Sequence, residues 1–233
     1  EESTAAPIPE YAGHLKHEPV ARLFDEIMKL LFSGHARECL KKLNSLGVSD
    51  DIHPLLTALK SAEKAENRII SLALKNTDER LRQDKSVSVG FVLAAVLWPD
   101  VNRRWQQNLA QGQKPAPALT DAIESLRSDV EKGWGVPQRF AATMREIWQF
   151  QPQFEQMRGA RPHRLLAQQR FRAAYDFLVL RGEVGEIDRQ TVEWWHSFQH
   201  ADEGLRNEMT TNHARAQGNE GVKKKRRRRP RKK

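Results

Sequence analysis

From Pro19 to His200 the apolar residues return every three or four positions and never settle into alternation, so the chain is committed to helices. Pro19 suits a first helical position; Leu23, Phe24, Ile27, Leu30 and Leu31 form one stripe behind it, and Gly34 stops the helix. A second, short helix is predicted over 36–46, with Leu40 and Leu43 inward and Gly47 just past its end. Asp51 is placed to cap the turn into Leu55, Leu56 and Leu59, and Asp50, Asp51 and His53 together read as turn and cap residues before Pro54. Ile69, Ile70, Ala73, Leu74 and Leu81 stripe a longer helix. Ser88 caps the most apolar segment, Val89 to Trp98, which Pro99 bounds. It is too short to span a bilayer and reads as a core helix covered on most sides. β-branched residues are scattered and give no strand pair. The expected fold is all-α, a multi-helix body of packed helical hairpins.

GQKPAP, Gly112 to Pro117, reads as an internal linker. Beyond it Leu119, Ile123, Leu126 and Val130 repeat at helical spacing until Gly133. Pro137 opens a helix with Phe140, Met144, Ile147 and Trp148 inward, which Pro152 ends. Phe171, Ala174, Tyr175 and Leu178 stripe another, and Val192, Trp195 and Phe198 the last, before polarity takes over near His200. These signals divide the chain into a flexible connecting segment (1–18), a helical body (19–111), a linker (112–118), a second helical subdomain (119–200) and a disordered tail (201–233).

The tail ends in KKKRRRRPRKK, with ten cations in eleven residues: Lys223, Lys224, Lys225, Arg226, Arg227, Arg228, Arg229, Arg231, Lys232 and Lys233. The whole chain has 39 Lys and Arg against 30 Asp and Glu, a net charge of +9, so without this arm it would carry about one negative charge. The arm has no apolar area to offset the ordering of its backbone and is expected to be extended and disordered. Its partners are polyanions: RNA or DNA first, an anionic membrane face second. With no aromatic side chain it supplies affinity without sequence choice. A nuclear-import signal, a solubilising tail or a segment left by cloning are other readings of the same run.

Other classes of chemistry leave no trace in the sequence. No G-x-x-x-x-G-K-[ST], G-x-G-x-x-G or H-E-x-x-H occurs. His35 and Cys39 stand four apart, but zinc needs three or four ligands and no others are near in sequence, so a helix contact is expected. Asp129 and Glu131, two apart, do not share a helical face and are read as solvating it. The single cysteine excludes an intrachain disulfide and points to the cytoplasm; no membrane span or signal peptide is expected. A start at Glu1 without methionine points to a processed product or a fragment.

A second basic feature lies at Arg158, Arg161, His163, Arg164, Arg170 and Arg172, around Gly159 and Pro162. Arg172 can pair with Asp176 at i+4, whereas the others have no close acidic neighbour in sequence. Two readings stay open, a solvated helix face and a phosphate-binding patch of guanidinium groups at Arg158, Arg161, Arg164 and Arg170. Phe171 and Tyr175 are near enough to stack on bases if exposed, but their place in the apolar stripe predicts burial.

Four blocks carry a family resemblance: VARLFDEIMKLLFSGHA (20–36), SLALKNTDERLRQDKSVSVGFVLAAVLWP (71–99), REIWQFQ (145–151) and RFRAAYDFLVLRGEV (170–184). In order and spacing they resemble the C-terminal half of bacterial poly(A) polymerases, relatives of the CCA-adding tRNA nucleotidyltransferases, which also end in a basic arm. The resemblance covers Tyr11 to Lys233. It implies a helical neck, body and tail that handle RNA for an enzyme adding AMP from ATP to RNA 3′ ends and promoting RNA decay. It also implies an N-terminal head whose Gly-Ser element and Asp-x-Asp carboxylates hold Mg2+ and ATP. Neither element occurs here, so no catalytic residue is carried over, no cofactor is assigned to this chain, and the chain alone is expected to be inactive. Arg22, Asp25 and Glu26 in RLFDE are read as packing and salt-bridging residues. Gln168 and Gln169 replace the family's usual His-Pro pair before RFRAAYDFL. RNA is the implied partner, with an RNA helicase or RNA-decay proteins as candidate protein partners. The competing reading is a stand-alone helical scaffold that binds RNA or protein without catalysis.

Overall fold

The computed structural model describes residues 6–48, 50–63, 67–128, 130 and 133–213. Asp129, Glu131 and the basic arm 223–233 lie outside these described residues. Among them the fold is all-α, with helices and no strand. In chain order the α-helices are α1 (Ile8–Tyr11), α2 (Val20–Leu31), α3 (Ala36–Ser45), α4 (Pro54–Lys60), α5 (Arg68–Arg82), α6 (Val89–Ala110), α7 (Pro115–Ser128), α8 (Gln138–Phe150), α9 (Arg161–Leu166), α10 (Phe171–Glu183) and α11 (Arg189–His200). Residues 203–213 are helical as well. The chain divides into two compact units, Glu1–Gln149 and Phe150–Lys233.

The first unit is built around α6, whose Val92 to Trp98 run is buried on all sides. Pro99 does not end this helix; it continues to Ala110. Val101 and Trp105 carry the apolar stripe past the proline and are both buried, and this burial outweighs a local cost of about 3 kcal/mol for proline inside a helix. Consequently 112–118 lies inside the first unit, as the short turn at 112–114 of an α6/α7 hairpin and the first residues of α7, with Gly112 at φ +88°. Two side chains of α6 bind the start of α7: Trp105 Nε1–H donates to the Pro115 carbonyl (2.9 Å) and Asn108 Nδ2–H to that of Ala118 (2.9 Å). The dividing line falls instead at Phe150, where one core gives way to another.

Helix ends in this unit are satisfied from several directions. Ser88 Oγ accepts from Phe91 N–H as expected, whereas α4 is capped by His53, whose Nδ1 accepts from Leu55 N–H (3.1 Å). Asp51, expected to cap, reaches Lys16 instead (2.5 Å). The buried Asp78 of α5 takes the first amides of α3, from Ala36 (2.8 Å) and Arg37 (3.3 Å), so a carboxylate meets the positive end of that helix. Residues 8–17, expected to be a flexible connection, form α1 and a 3₁₀ turn; Ala12 is buried with Val48 and Ile52, and Ile8, Leu23, Leu43 and Leu46 pack against them.

The second unit packs α9, α10 and α11 around an aromatic core of Phe150, Phe154, Phe171, Tyr175, Trp195 and Phe198. The helix over 203–213 extends order into the region expected to be tail. Asp202 Oδ1 accepts from Leu205 N–H (2.8 Å) at its start, and Arg206 donates to the Phe198 and Gln199 carbonyls at the end of α11. Its polar surface hid it from a hydrophobic-period reading, although Leu205 and Met209 stand four apart.

Candidate nucleic-acid interface

The described part of the candidate interface is the arginine-bearing segment at the start of the second unit. Its support is the aromatic core. Trp195 stands edge-on to Phe154, with ring centroids 5.1 Å apart at 83°, and its indole N–H donates to the Phe154 carbonyl (2.8 Å). Such edge-to-face pairs contribute about 1 kcal/mol each beyond burial. Phe154 also lies edge-on to Phe171, and Trp195 to Phe198. A rigid floor therefore lies beneath the loop that follows Phe154.

On that floor Pro162 and Leu165 turn inward and anchor α9, which leaves Arg161 and Arg164 outward. Gly159 supplies the turn before it, at φ +63°, and Arg158 projects from the same turn. Arg170 occupies the position before α10. All four of these arginines are exposed. Arg161 donates only to the neutral Gln156 side chain (2.6 Å), and Arg158 and Arg164 make no ion pair among the described residues. Arg172 is spent on Asp176 (3.1 Å), as its spacing predicted. Arg158 and Arg164 are thus exposed guanidinium groups without an ion pair among the described residues, held with Arg161 on a packed scaffold. That arrangement suits phosphate oxygens, which accept the forked N–H pairs of arginine.

Phe171 and Tyr175 do not serve as stacking platforms. Both are buried, and their rings stack on each other at 6.1 Å and 11°. Burial pushes the Tyr175 phenol up from its ordinary value, so it stays protonated in neutral solution. The remaining arginine of α10, Arg181, looks like a continuation of the basic patch in sequence but is internal. It is buried, donating to Glu186 (3.0 Å) and to Gln151 (3.2 Å), while Gln151 in turn donates to the Ala174 carbonyl. Burial pushes the Arg181 guanidinium down from its usual value, and the Glu186 carboxylate opposes that shift. Its signal in sequence was the apolar run FLVL immediately before it.

His35 sits at the cap of α3, with Nδ1 3.8 Å from Glu38, and Cys39 Sγ lies 4.0 Å from the Ser33 hydroxyl, so both have ordinary local contacts. Among the described residues no group of three or more His, Cys, Asp or Glu side chains could hold a metal. Nor is any helix among them long and apolar enough to cross a membrane.

Comparison with known proteins gives two family matches. Residues 111–233 match the family described as polymerase A arginine-rich C-terminus, and residues 1–60 match the probable RNA and SrmB-binding site of polymerase A. The chain is 36% identical to poly(A) polymerase I of Escherichia coli over 203 residues, which cover 84% of this chain and 43% of that protein. Against poly(A) polymerase I of Salmonella typhimurium the identity is 33%, over 88% of the chain and 46% of the relative. Against that of Haemophilus influenzae it is 30%, over 90% and 47%. The chain thus spans less than half the length of these curated relatives.

Proposed function

The chain belongs to the bacterial poly(A) polymerase family, of which it is the RNA-binding and arginine-rich C-terminal region, and from that premise we propose that it holds RNA for 3′ adenylation. The parent reaction is transfer of AMP from ATP to an RNA 3′ end, with Mg2+ and ATP bound by a separate catalytic head. A polymerase that adds one nucleotide at a time must keep its substrate between additions, and cationic surfaces remote from the metals do this by raising local RNA concentration. In this reading Lys223–Lys233 are a tether without base preference, and Arg158, Arg161, Arg164 and Arg170 give the backbone a fixed track. The observation that carries the proposal is the set of exposed arginines on the aromatic floor of the second unit, of which Arg158 and Arg164 make no ion pair there. The charged arm has the same chemistry and no aromatic side chain with which to read a base. Cytoplasmic RNA metabolism is the setting, and an RNA helicase or RNA-decay protein is the protein partner class; the family description of residues 1–60 supports the RNA contact.

Deleting Val222–Lys233 tests the tether. Ten phosphate contacts on a single strand imply a salt slope steeper by about seven in the intact chain. Fluorescence anisotropy of an RNA oligomer over a salt series should show most low-salt affinity lost while circular dichroism keeps its helical signal. Equal affinity with and without the arm would remove the tether and shift binding to the Arg158–Arg170 segment. Separately, incorporation of labelled ATP into RNA by this purified chain would refute the assignment of catalysis to another segment.

A further inference from the structure

A second concave, cationic site lies in the first unit, far in sequence from the arginine segment. One face of α3 carries Arg37, Leu40, Lys41 and Asn44, at i, i+3, i+4 and i+7, and α5 faces it with Ser71 and Leu74. Lys60, at the end of α4, closes the side. Together they line a cavity of about 90 Å³. Leu40, Leu59 and Leu74 form a buried apolar floor, and the polar ends of Arg37, Lys41, Asn44, Lys60 and Ser71 stand around it.

Among the described residues the charge balance of this cavity is one-sided, and no carboxylate lines it. Arg37 and Lys41 make no ion pair among the described residues, and Lys60 donates to the neutral Val48 carbonyl (2.7 Å). The acid nearest along α5, Asp78, is committed to the Ala36 and Arg37 backbone amides. Like charges at i and i+4, as at Arg37 and Lys41, cost a helix a few tenths of a kcal/mol in isolation. A bound anion would reverse that cost. Neutral donors at Asn44 and Ser71 complete a set that can surround a tetrahedral oxyanion from several directions.

We infer that this cavity is a backbone-phosphate site for RNA, formed by Arg37, Lys41, Asn44, Lys60 and Ser71 and independent of the arm and of the Arg158–Arg170 segment. The inference rests on the RNA-handling reading above and deepens it by giving the first unit its own contact. Its occupant is a phosphodiester: the cations Arg37, Lys41 and Lys60 with the neutral donors Asn44 and Ser71 suit the oxygens of an anion.

The test uses the full chain and a labelled oligoadenylate of about twelve nucleotides, titrated between about 50 mM and about 200 mM salt. The variant is R37Q/K41Q, and the charge-matched control is K29Q/K85Q, whose lysines lie outside the cavity and contact Glu26 and Gln83. The cavity variant should bind about tenfold more weakly at low salt, with a salt slope smaller by about 1.4, and the control should change far less. Inorganic phosphate at fixed ionic strength should shift the Ser71 and Asn44 amide resonances of the wild type but not of R37Q/K41Q, and an uncharged-backbone oligomer should shift neither. If the wild type binds RNA and the two double variants share one slope, the site is overturned while the RNA reading stands, and an acidic protein becomes the occupant of the cationic face. If the wild type binds no RNA, both fall. Circular dichroism of each variant establishes that the loss is not unfolding.

Discussion

The two units solve the same problem, burying a helical core, with different materials. In the first, the core is mainly aliphatic around α6, and polar side chains bind backbone groups at several points: Asp78 at the start of α3, His53 at the start of α4, and Trp148 Nε1–H at the Ala94 carbonyl inside α6 (3.1 Å). The second concentrates its packing in a few large rings around Trp195, with Arg181 as the buried charge among the described residues. Distributed small contacts make a unit tolerant of any one loss; a ring cluster makes it dependent on its hub. The functional correlate is that the exposed arginines of α9 stand on that hub, while the cationic cavity of the first unit is framed by helices held at several points.

Trp195→Ala is the strongest way to break the comparison. It removes a fully buried indole, its contacts to Phe154, Phe171 and Phe198, and its hydrogen bond to the Phe154 carbonyl. A loss of about 4 kcal/mol is expected. Urea unfolding followed by near-ultraviolet circular dichroism should show an early transition of the second unit, with the first unit's midpoint unmoved. Coincident shifts would mean that the two units unfold as one.

Asp78→Ala probes the stitching of the first unit and should do less. It takes one carboxylate from two amides at the start of α3, at a cost of about 1–2 kcal/mol. The expected readout is faster hydrogen exchange at Ala36 and Arg37 with little change elsewhere. A loss as large as that of Trp195→Ala would show that the first unit also has a hub.

Period and punctuation made much of this molecule legible. Gly34 and Gly47 adopt positive φ just after α2 and α3, Ser88 caps α6, and the stripes at 119–126 and 171–178 are buried as their spacing implies. Local rules failed where tertiary burial overrode them. Proline should end a helix, but Val101 and Trp105 had a core to enter, so α6 continues and the supposed linker divides between a short turn and the start of α7. The helix over 203–213 escaped because it shows no apolar stripe: Met209 packs against the core but Leu205 is exposed, and Asp202 and Arg206 make hydrogen bonds at its start. For the candidate interface, residue type and spacing located the arginines and the Arg172–Asp176 pair. They did not reveal the cavity at Arg37 and Lys41, because its walls come from helices more than twenty residues apart and no local pattern joins Lys41 to Ser71.

The smallest predicted effect separates the units by pH. His53 is buried, its Nδ1 accepts from Leu55 N–H, and its Nε2 is buried with no hydrogen-bond partner among the described residues. Burial pushes its pKa below the ordinary histidine value, against the upward pull of the Trp134 and Val20 backbone. A proton taken by the imidazole would occupy the lone pair that caps α4. Because the folded pKa is the lower one, the unfolded chain binds the proton first as pH falls. The stability that neutral His53 gives is therefore full above the ordinary histidine pKa and declines as pH drops through it. Urea midpoints of the first unit at about pH 7.5 and about pH 5.5 should differ in that direction. His53→Asn keeps an accepting side chain at the cap without a titrating proton, so its own difference between the two pH values should be smaller. An equal difference in the wild type and His53→Asn would assign the acid sensitivity to other groups and remove the cap of α4 as a point of contrast between the units.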